Sequence, residues 1–301
     1  MATELPNQGG HSPNLNEIHD TLIEIAYKAG DIINGALPTT GATGSKKNSA
    51  DLVTEYDRAV EEMVSRALKE KYPTYQFHGE ESYDPSRPLT DDPTFIIDPI
   101  DGTINFVHGF PHACISLGFA INRTPVVGIV FNPSSRTLYS AIRGQGAFLN
   151  RAQRLPLKGN DIEPLSGLQN ALVSIEWGSD RKGQNWETKV RTFEKLGQDK
   201  ESGGAMVRSM RSLGSAALNL CGVAEGTLDL YWEGGCWAWD VCAGWVILTE
   251  AGGVIVDGNP GGWEPAVDGR VYLAVRASPG NAGQKEIIEE FWGYVQGRLD
   301  Y

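Results

Sequence analysis

The first regular pattern along the chain is helical. Leu15, Ile18, Leu22, Ile25, Ala29 and Ile32 recur every three or four residues, which places them on one face of an α-helix. Gly35 and Pro38 end that helix, and 39–50 reads as a polar loop. A second helix is predicted over 57–72, with Tyr56, Val60, Met63, Ala67 and Leu68 on one side and Pro73 as its stop. The period then changes. A buried strand is predicted at 94–97, and from His112 the chain alternates, with Ile115, Leu117, Phe119 and Ile121 facing one way and Cys114, Ser116, Gly118 and Ala120 the other. Strands at 126–131 and 137–142 follow across NRTP and NPSS turns, the signature of an antiparallel meander. The second half mixes strands (171–177, 228–232, 254–256, 271–275) with helices near 187–196, 215–225, 241–251 and 283–297. Helices, then a meander, then mixed segments point to layered sheets and helices rather than a Rossmann alternation.

Composition narrows the function classes. A chain of 301 residues, 41% hydrophobic and 21% charged, is an ordinary globular sequence long enough to bury its own core. The 38 acidic against 26 basic residues give a net charge of −12, which opposes binding to a phosphodiester backbone. A small anionic substrate stays open, because a bound cation reverses the local field. The start of the chain has neither a basic n-region nor an apolar h-region, so no signal peptide is expected, and residues 1–13 are expected to form a mobile tail. Cys114, Cys221, Cys236 and Cys242 form no CxxC pair, and a soluble cytoplasmic protein is expected.

Several motifs fail on inspection. His108 and His112 have a zinc-helix spacing, but Gly109 and Pro111 between them break a helix. GATGSKK lacks P-loop spacing, RGQGAF lacks the third glycine of a dinucleotide fingerprint, and no GxSxG is present. Trp232, Trp237 and Trp239 read equally as a sugar-stacking platform or as core.

What remains is acidic: Glu80-Glu81 after Gly79, Asp98 and Asp101 in DPIDGT, Asp240 at the head of an apolar helix, and Asp57 in DLVTEYD beginning at Asp51. Pro99 holds Asp98 extended and Gly102 permits a tight turn, so two carboxylates and the Ile100 carbonyl can converge, with the N–H groups of Gly102 and Thr103 as an anion site if a helix starts there. Structural explanations compete. Asp240 suits an N-cap, and Thr54-x-x-Asp57 suits a capping box. Together, however, the acids need cations, because like charges ~4 Å apart repel by about 4 kcal/mol at an effective dielectric near 20. Oxygen ligands without His or Cys select a hard ion such as Mg²⁺.

GEES at 79–82, DPIDGTINF at 98–106 and WDVCAG at 239–244, with DLVTEYD at 51–57 and RSLGSAALNLCG at 211–222 in order, resemble the inositol monophosphatase family of lithium-sensitive, metal-dependent phosphatases. The resemblance spans roughly 15–295 and implies an α+β fold, a layered αβαβα sandwich of the inositol monophosphatase/fructose bisphosphatase type. It implies a single phosphatase domain over 14–301, in two close-packed halves at roughly 14–155 and 156–301, usually as a homodimer. It implies two or three Mg²⁺ per subunit: Glu80, Asp98 and the Ile100 carbonyl at the first, Asp98, Asp101 and Asp240 at the second, and Glu80 at a weaker third. By the same resemblance Gly102 and Thr103 bind phosphate, and Thr103 with Asp57 or Glu80 orients the attacking water. Lys46 matches a loop lysine near the ions, and Gly214, Ser215, Ala216 and Glu233 contact the alcohol. The implied reaction is in-line hydrolysis of inositol monophosphate, with inhibition by Li⁺. Ile104 and the pair Trp237-Ala238 depart from the family pattern and leave the alcohol open. The alternatives are another small phosphate ester, such as 3′-phosphoadenosine 5′-phosphate or fructose 1,6-bisphosphate, or a non-catalytic regulatory descendant.

Overall fold

In the computed structural model, residues 13–36, 44–45 and 52–301 are described. The expected tail (1–12 of it), most of the polar loop, Lys46 and Asp51 lie outside the described residues. Helix α1 (Leu15–Gly35) starts where the Asn14 side chain accepts from Glu17 N at 3.2 Å, and it buries Ile18, Leu22, Ile25 and Ala29 as the spacing predicts. A short pair, β1 (Gly44–Ser45) and β2 (Leu52–Val53), precedes α2 (Glu55–Lys71). That helix begins two residues before the predicted start, because Thr54 and Asp57 form a reciprocal capping box.

A seven-stranded sheet follows, in spatial order β3 (Gln76–Gly79), β4 (Thr94–Asp101), β5 (Cys114–Ile121), β6 (Thr124–Asn132), β7 (Thr137–Ile142), β8 (Gly146–Leu149) and β9 (Gln153–Arg154). From β4 to β9 each strand is antiparallel to the last, which is the predicted meander; β3 adds in parallel at the edge. Between β4 and β5 lies the short helix α3 (Thr103–His108). The second sheet has five strands in the order β11 (Ser209–Arg211), β10 (Leu172–Ile175), β12 (Leu230–Gly234), β14 (Val271–Val275), β13 (Val254–Asp257). Its helices are α4 (Gly183–Gly197), α5 (Ala216–Glu225), α6 (Ala238–Glu250) and α7 (Gln284–Tyr294).

Three buried clusters define the layers. One joins α1 and α2 to Phe95, Ile97, Ile115, Leu117 and Phe119 on one face of the large sheet. The next fills the space around α5 and α6, between that sheet and Tyr231, Ala274 and Ile255 of the small one. The third joins Val173, Leu230, Trp232 and Leu273 to α7 and the Leu196 end of α4. The order is therefore αβαβα. Helix α6 crosses β5 and β6 at two glycines: a Cβ on Gly118 would lie 2.5 Å from Cys242 Sγ, and one on Gly128 2.2 Å from the Ala243 carbonyl oxygen. At Gly128 main chain packs on main chain, and at Gly118 the Cys242 side chain packs on the strand. Among the described residues no helix is long and apolar enough to cross a membrane.

Candidate active site

The site is built on an irregularity at the end of β4. Asp98 pairs with Ser116 of β5, and Asp101 pairs with Cys114, so three steps on β4 answer two on β5. Without that extra residue, alternation would send Asp98 and Asp101 to opposite faces. With it, both sit opposite residues that face the α5–α6 layer. Ile100 N donates to Asp98 Oδ1 at 3.0 Å, closing the turn around Pro99. Gly102 follows at φ 87°, a left-handed conformation, with its α-carbon so close to the carbonyls of His112 and Gly214 that a Cβ would lie 2.9 and 3.1 Å from them. Helix α3 then starts at Thr103, as the anion-site reading requires.

Other elements bring the remaining acids to this turn. Asp101 Oδ2 accepts from Ser215 Oγ at 2.6 Å and from Ala217 N at 2.7 Å, at the start of α5. Asp240 is not the N-cap that the sequence suggests. The helix starts at Ala238, and Asp240, one turn in, accepts from Trp237 N at 2.7 Å. The capping role therefore uses one carboxylate oxygen of Asp240 and leaves the other. Glu80 follows β3, its N–H bonded to the Ile97 carbonyl at 3.2 Å, while Glu61 holds the same turn through Glu81 N. Asp57 serves twice: Oδ2 accepts from Thr54 N and Oγ1, and Oδ1 accepts from Thr103 Oγ1 at 3.3 Å. Thr103 Oγ1 also donates to the Ile100 carbonyl at 3.0 Å.

Electrostatics ties these groups together. Burial, then the charges of Glu80, Asp101 and Asp240, pushes the Asp98 carboxyl well above the ordinary range. Burial raises Asp101 to about 6, against the hydrogen bonds from Ser215, Ala217 and Ala216 that favour its anion. Asp240 is driven up by burial and then by Asp101 and Glu80. Among the described residues no three acid, His or Cys side chains are drawn into a closed metal cage. The donor chemistry nevertheless fits a divalent hard ion, since it is all carboxylate and carbonyl. Cys114, 3.9 Å from Asp101, is held as a thiol by burial.

The opposite wall comes from the small sheet. On β12, Tyr231 and Glu233 share the α5–α6 face, while Leu230 and Trp232 pack into the α7 cluster on the other side. Glu176, just past β10, lies beside them, its N–H 3.4 Å from the Trp232 carbonyl. Its Oε1 accepts from Leu213 N, Gly214 N and Asn219 Nδ2 at 2.7–2.9 Å. Gly214, Ser215 and Ala216 thus adjoin the phosphate turn, but Ser215 gives its hydroxyl to Asp101. Burial, then the neighbouring Glu176, raises the Glu233 carboxyl to about 8, with Asp101 adding to the effect. Glu176, Asn219 and Asn105, whose amide bridges the carbonyls of His112 and Leu213, are parts of the site that the sequence reading missed. A buried glutamate inside a strand pattern carries no turn or cap signal.

The tryptophans serve packing. Trp232 and Trp239 are buried, and Trp237 is stacked on Trp239 with Arg270 3.5 Å from its ring centre, so the aromatic rings are engaged within the protein. His108 ends α3 and His112 lies beyond it, so they form no helical pair.

The whole chain, not only its motifs, has known relatives. It matches the inositol monophosphatase family over residues 14–296. It is 46% identical over 293 residues to inositol monophosphatase 2 of Saccharomyces cerevisiae, covering 95% of this chain and 98% of that one. Protein qutG of Emericella nidulans is 38% identical over 315 residues, covering 95% of each. Among solved structures, inositol monophosphatase from Anabaena (Nostoc) superposes with a TM-score of 0.74 at 27% identity, over 94% of this chain and 97% of that one. The fold and this likeness define a phosphoric monoester hydrolase with the expected αβαβα architecture. The chain belongs to the inositol monophosphatase family.

Proposed function

We propose that this enzyme hydrolyses inositol monophosphate to inositol and inorganic phosphate with Mg²⁺ as cofactor. The observation that carries the reading is that Asp98 and Asp101 of β4, Asp240 of α6 and Glu80 after β3 are near enough to act on one another's ionisation beside the start of α3. Glu80, Asp98 and the Ile100 carbonyl would hold a first ion, Asp98, Asp101 and Asp240 a second, and Glu80 would contribute to a third. Bound there, divalent cations would neutralise phosphate charge and make water a stronger acid.

The protein's own groups divide the remaining work. The N–H groups of Gly102 and Thr103 precede the first intrahelical bonds of α3 and orient the phosphate oxygens. Thr103 Oγ1, already donating to Asp57 Oδ1, is placed to accept a proton from the attacking water while passing its own to Asp57. Burial raises the Asp57 carboxyl, which suits it to hold that proton. Attack forms the new phosphorus–oxygen bond from water and breaks the one to the alcohol, whose oxygen takes a proton from a solvent water as it leaves, and the proton held at Asp57 returns to solvent. On the other wall Glu233 accepts hydrogen bonds from ring hydroxyls. Its neighbours Glu176 and Asp101 make that wall unfavourable for a second phosphate, so a polyhydroxylated monophosphate is preferred over a bisphosphate.

The test is a phosphate-release panel on inositol monophosphate, 4-nitrophenyl phosphate, fructose 1,6-bisphosphate and 3′-phosphoadenosine 5′-phosphate. Each is assayed before chelation, after it, and with Mg²⁺ restored. Inositol monophosphate is expected to lead the panel, with turnover lost on chelation and restored by Mg²⁺. Undiminished turnover in excess chelator sinks the metal assignment, and a bisphosphate preference sinks the substrate.

A further inference from the structure

A lysine lies buried beneath the alcohol wall with no part in the reaction just described. Lys189, on α4, is 1% exposed. Its ammonium donates to the carbonyls of Gly234 at 2.8 Å and Trp177 at 3.1 Å, which follow Glu233 and Glu176 by one residue on neighbouring strands. The segment after α7 closes over it. Leu299 is bound both ways to Asn259, the Asp300 carbonyl accepts from Asn185, and the Tyr301 ring lies 5.4 Å from the ammonium. A buried ammonium costs several kcal/mol in desolvation unless it is compensated. Two carbonyls compensate it in part; the rest comes from acids. Lys189 is a cation that acts on both Glu176 and Glu233, against their mutual repulsion. Glu176 is already held by two backbone N–H groups and the Asn219 amide, so the acid left to depend on Lys189 is Glu233, which accepts from Tyr231 Oη.

We propose that Lys189 is a positioning residue for substrate selection: its buried positive charge, bonded to the Gly234 carbonyl, fixes the end of β12 that presents Glu233 to the alcohol. The inference rests on the reading that Glu233 engages ring hydroxyls. It adds that discrimination between alcohols is set one layer below the pocket, from the α4 side of the sheet. Lys189 touches neither substrate nor cation, so its loss acts on alcohol binding and leaves phosphate chemistry alone.

The full chain carrying Lys189→Met, and separately Lys189→Gln, is assayed with Mg²⁺ on inositol monophosphate and on 4-nitrophenyl phosphate, which lacks ring hydroxyls. The glutamine amide retains donors for the two carbonyls without the charge. Expected for both variants is a KM for inositol monophosphate raised about tenfold, with kcat within about twofold and 4-nitrophenyl phosphate hydrolysis unchanged. In a Glu233→Gln background the Lys189 substitutions are expected to add less than about twofold, since the acid they serve is gone. If Glu233→Gln alone raises the inositol monophosphate KM but neither Lys189 variant does, the proposal falls and the reading of Glu233 stands. If Glu233→Gln alone changes nothing, that reading falls and takes the proposal with it. Equal losses on both esters, or a full Lys189 effect persisting in the Glu233→Gln background, would show a merely structural lysine and overturn the proposal. Should Lys189→Met fail to fold, Lys189→Gln decides by the same criteria.

Discussion

The two walls of the site both use acids and hold them through different sets of donors. On the phosphate side each acid is fixed by donors close to it in the chain or at a helix start: Asp98 by Ile100 N, Asp240 by Trp237 N, Asp57 by Thr54, Asp101 by the first residues of α5. On the alcohol side Glu176 depends on groups from distant parts of the chain, Asn219 and the 213–214 backbone, while Glu233 accepts from Tyr231 on its own strand and feels the charge of Lys189. The first set of acids is thus held mostly by sequence neighbours and helix starts, whereas Glu176 is held across layers.

That contrast predicts unequal effects. The largest belongs to Asp98, which the proposed arrangement gives to two ions at once. Asp98→Asn is expected to lower kcat by ~10³-fold or more on every ester, about 4 kcal/mol of barrier. Circular dichroism and thermal melting should still report a folded protein, because one buried repulsive charge is removed. A near-normal rate would place the chemistry elsewhere.

Glu233→Gln should cost less and choose its substrate. A hydrogen bond between a ring hydroxyl and the Glu233 carboxyl is worth about 0.5–1.5 kcal/mol, so kcat/KM for inositol monophosphate is expected to fall by about that amount. Hydrolysis of 4-nitrophenyl phosphate should be unchanged. Uniform loss across esters would erase the distinction between the two walls.

A further effect is on stability. Because the Glu233 carboxyl is raised from its ordinary 4.5 to about 8, the folded protein keeps a proton there that the unfolded chain releases. Its contribution to stability therefore falls as pH rises from about 4.5 to about 8 and is level above that. Glu233→Gln removes this slope, so its Tm relative to the parent should be higher at pH about 8.5 than at pH about 5. A Tm difference that does not vary with pH would mean the carboxyl is not buried in its acid form.

The same contrast explains what could be read from residues alone. The meander and the helical faces of α1 and α2 were legible because periodicity is local, and DPIDGT was legible because Pro99 and Gly102 dictate a turn. The bulge that brings Asp98 and Asp101 to one face was not, since it exists only in the pairing with β5. The start of α6 was placed late because Asp240 satisfies a cap one turn into the helix rather than at its boundary. Glu176 and Lys189 sit in ordinary strand and helix patterns, and only the packing of α4 against the small sheet gives them meaning.

The crossing of α6 over Gly118 and Gly128 has a consequence for the cations as well as for the core. At Gly128 no side chain separates strand from helix, so the span from Asp240 to the Asp98–Asp101 pair is limited there by how closely two main chains can approach. That is a hard stop, unlike a layer of methyl groups that can repack. Gly128 acts as a spacer for a cluster of acids to which it contributes no atom. Alanine at Gly128 would have to lift the helix, and with it Asp240, away from Asp98 and Asp101 while every acid remained in the sequence.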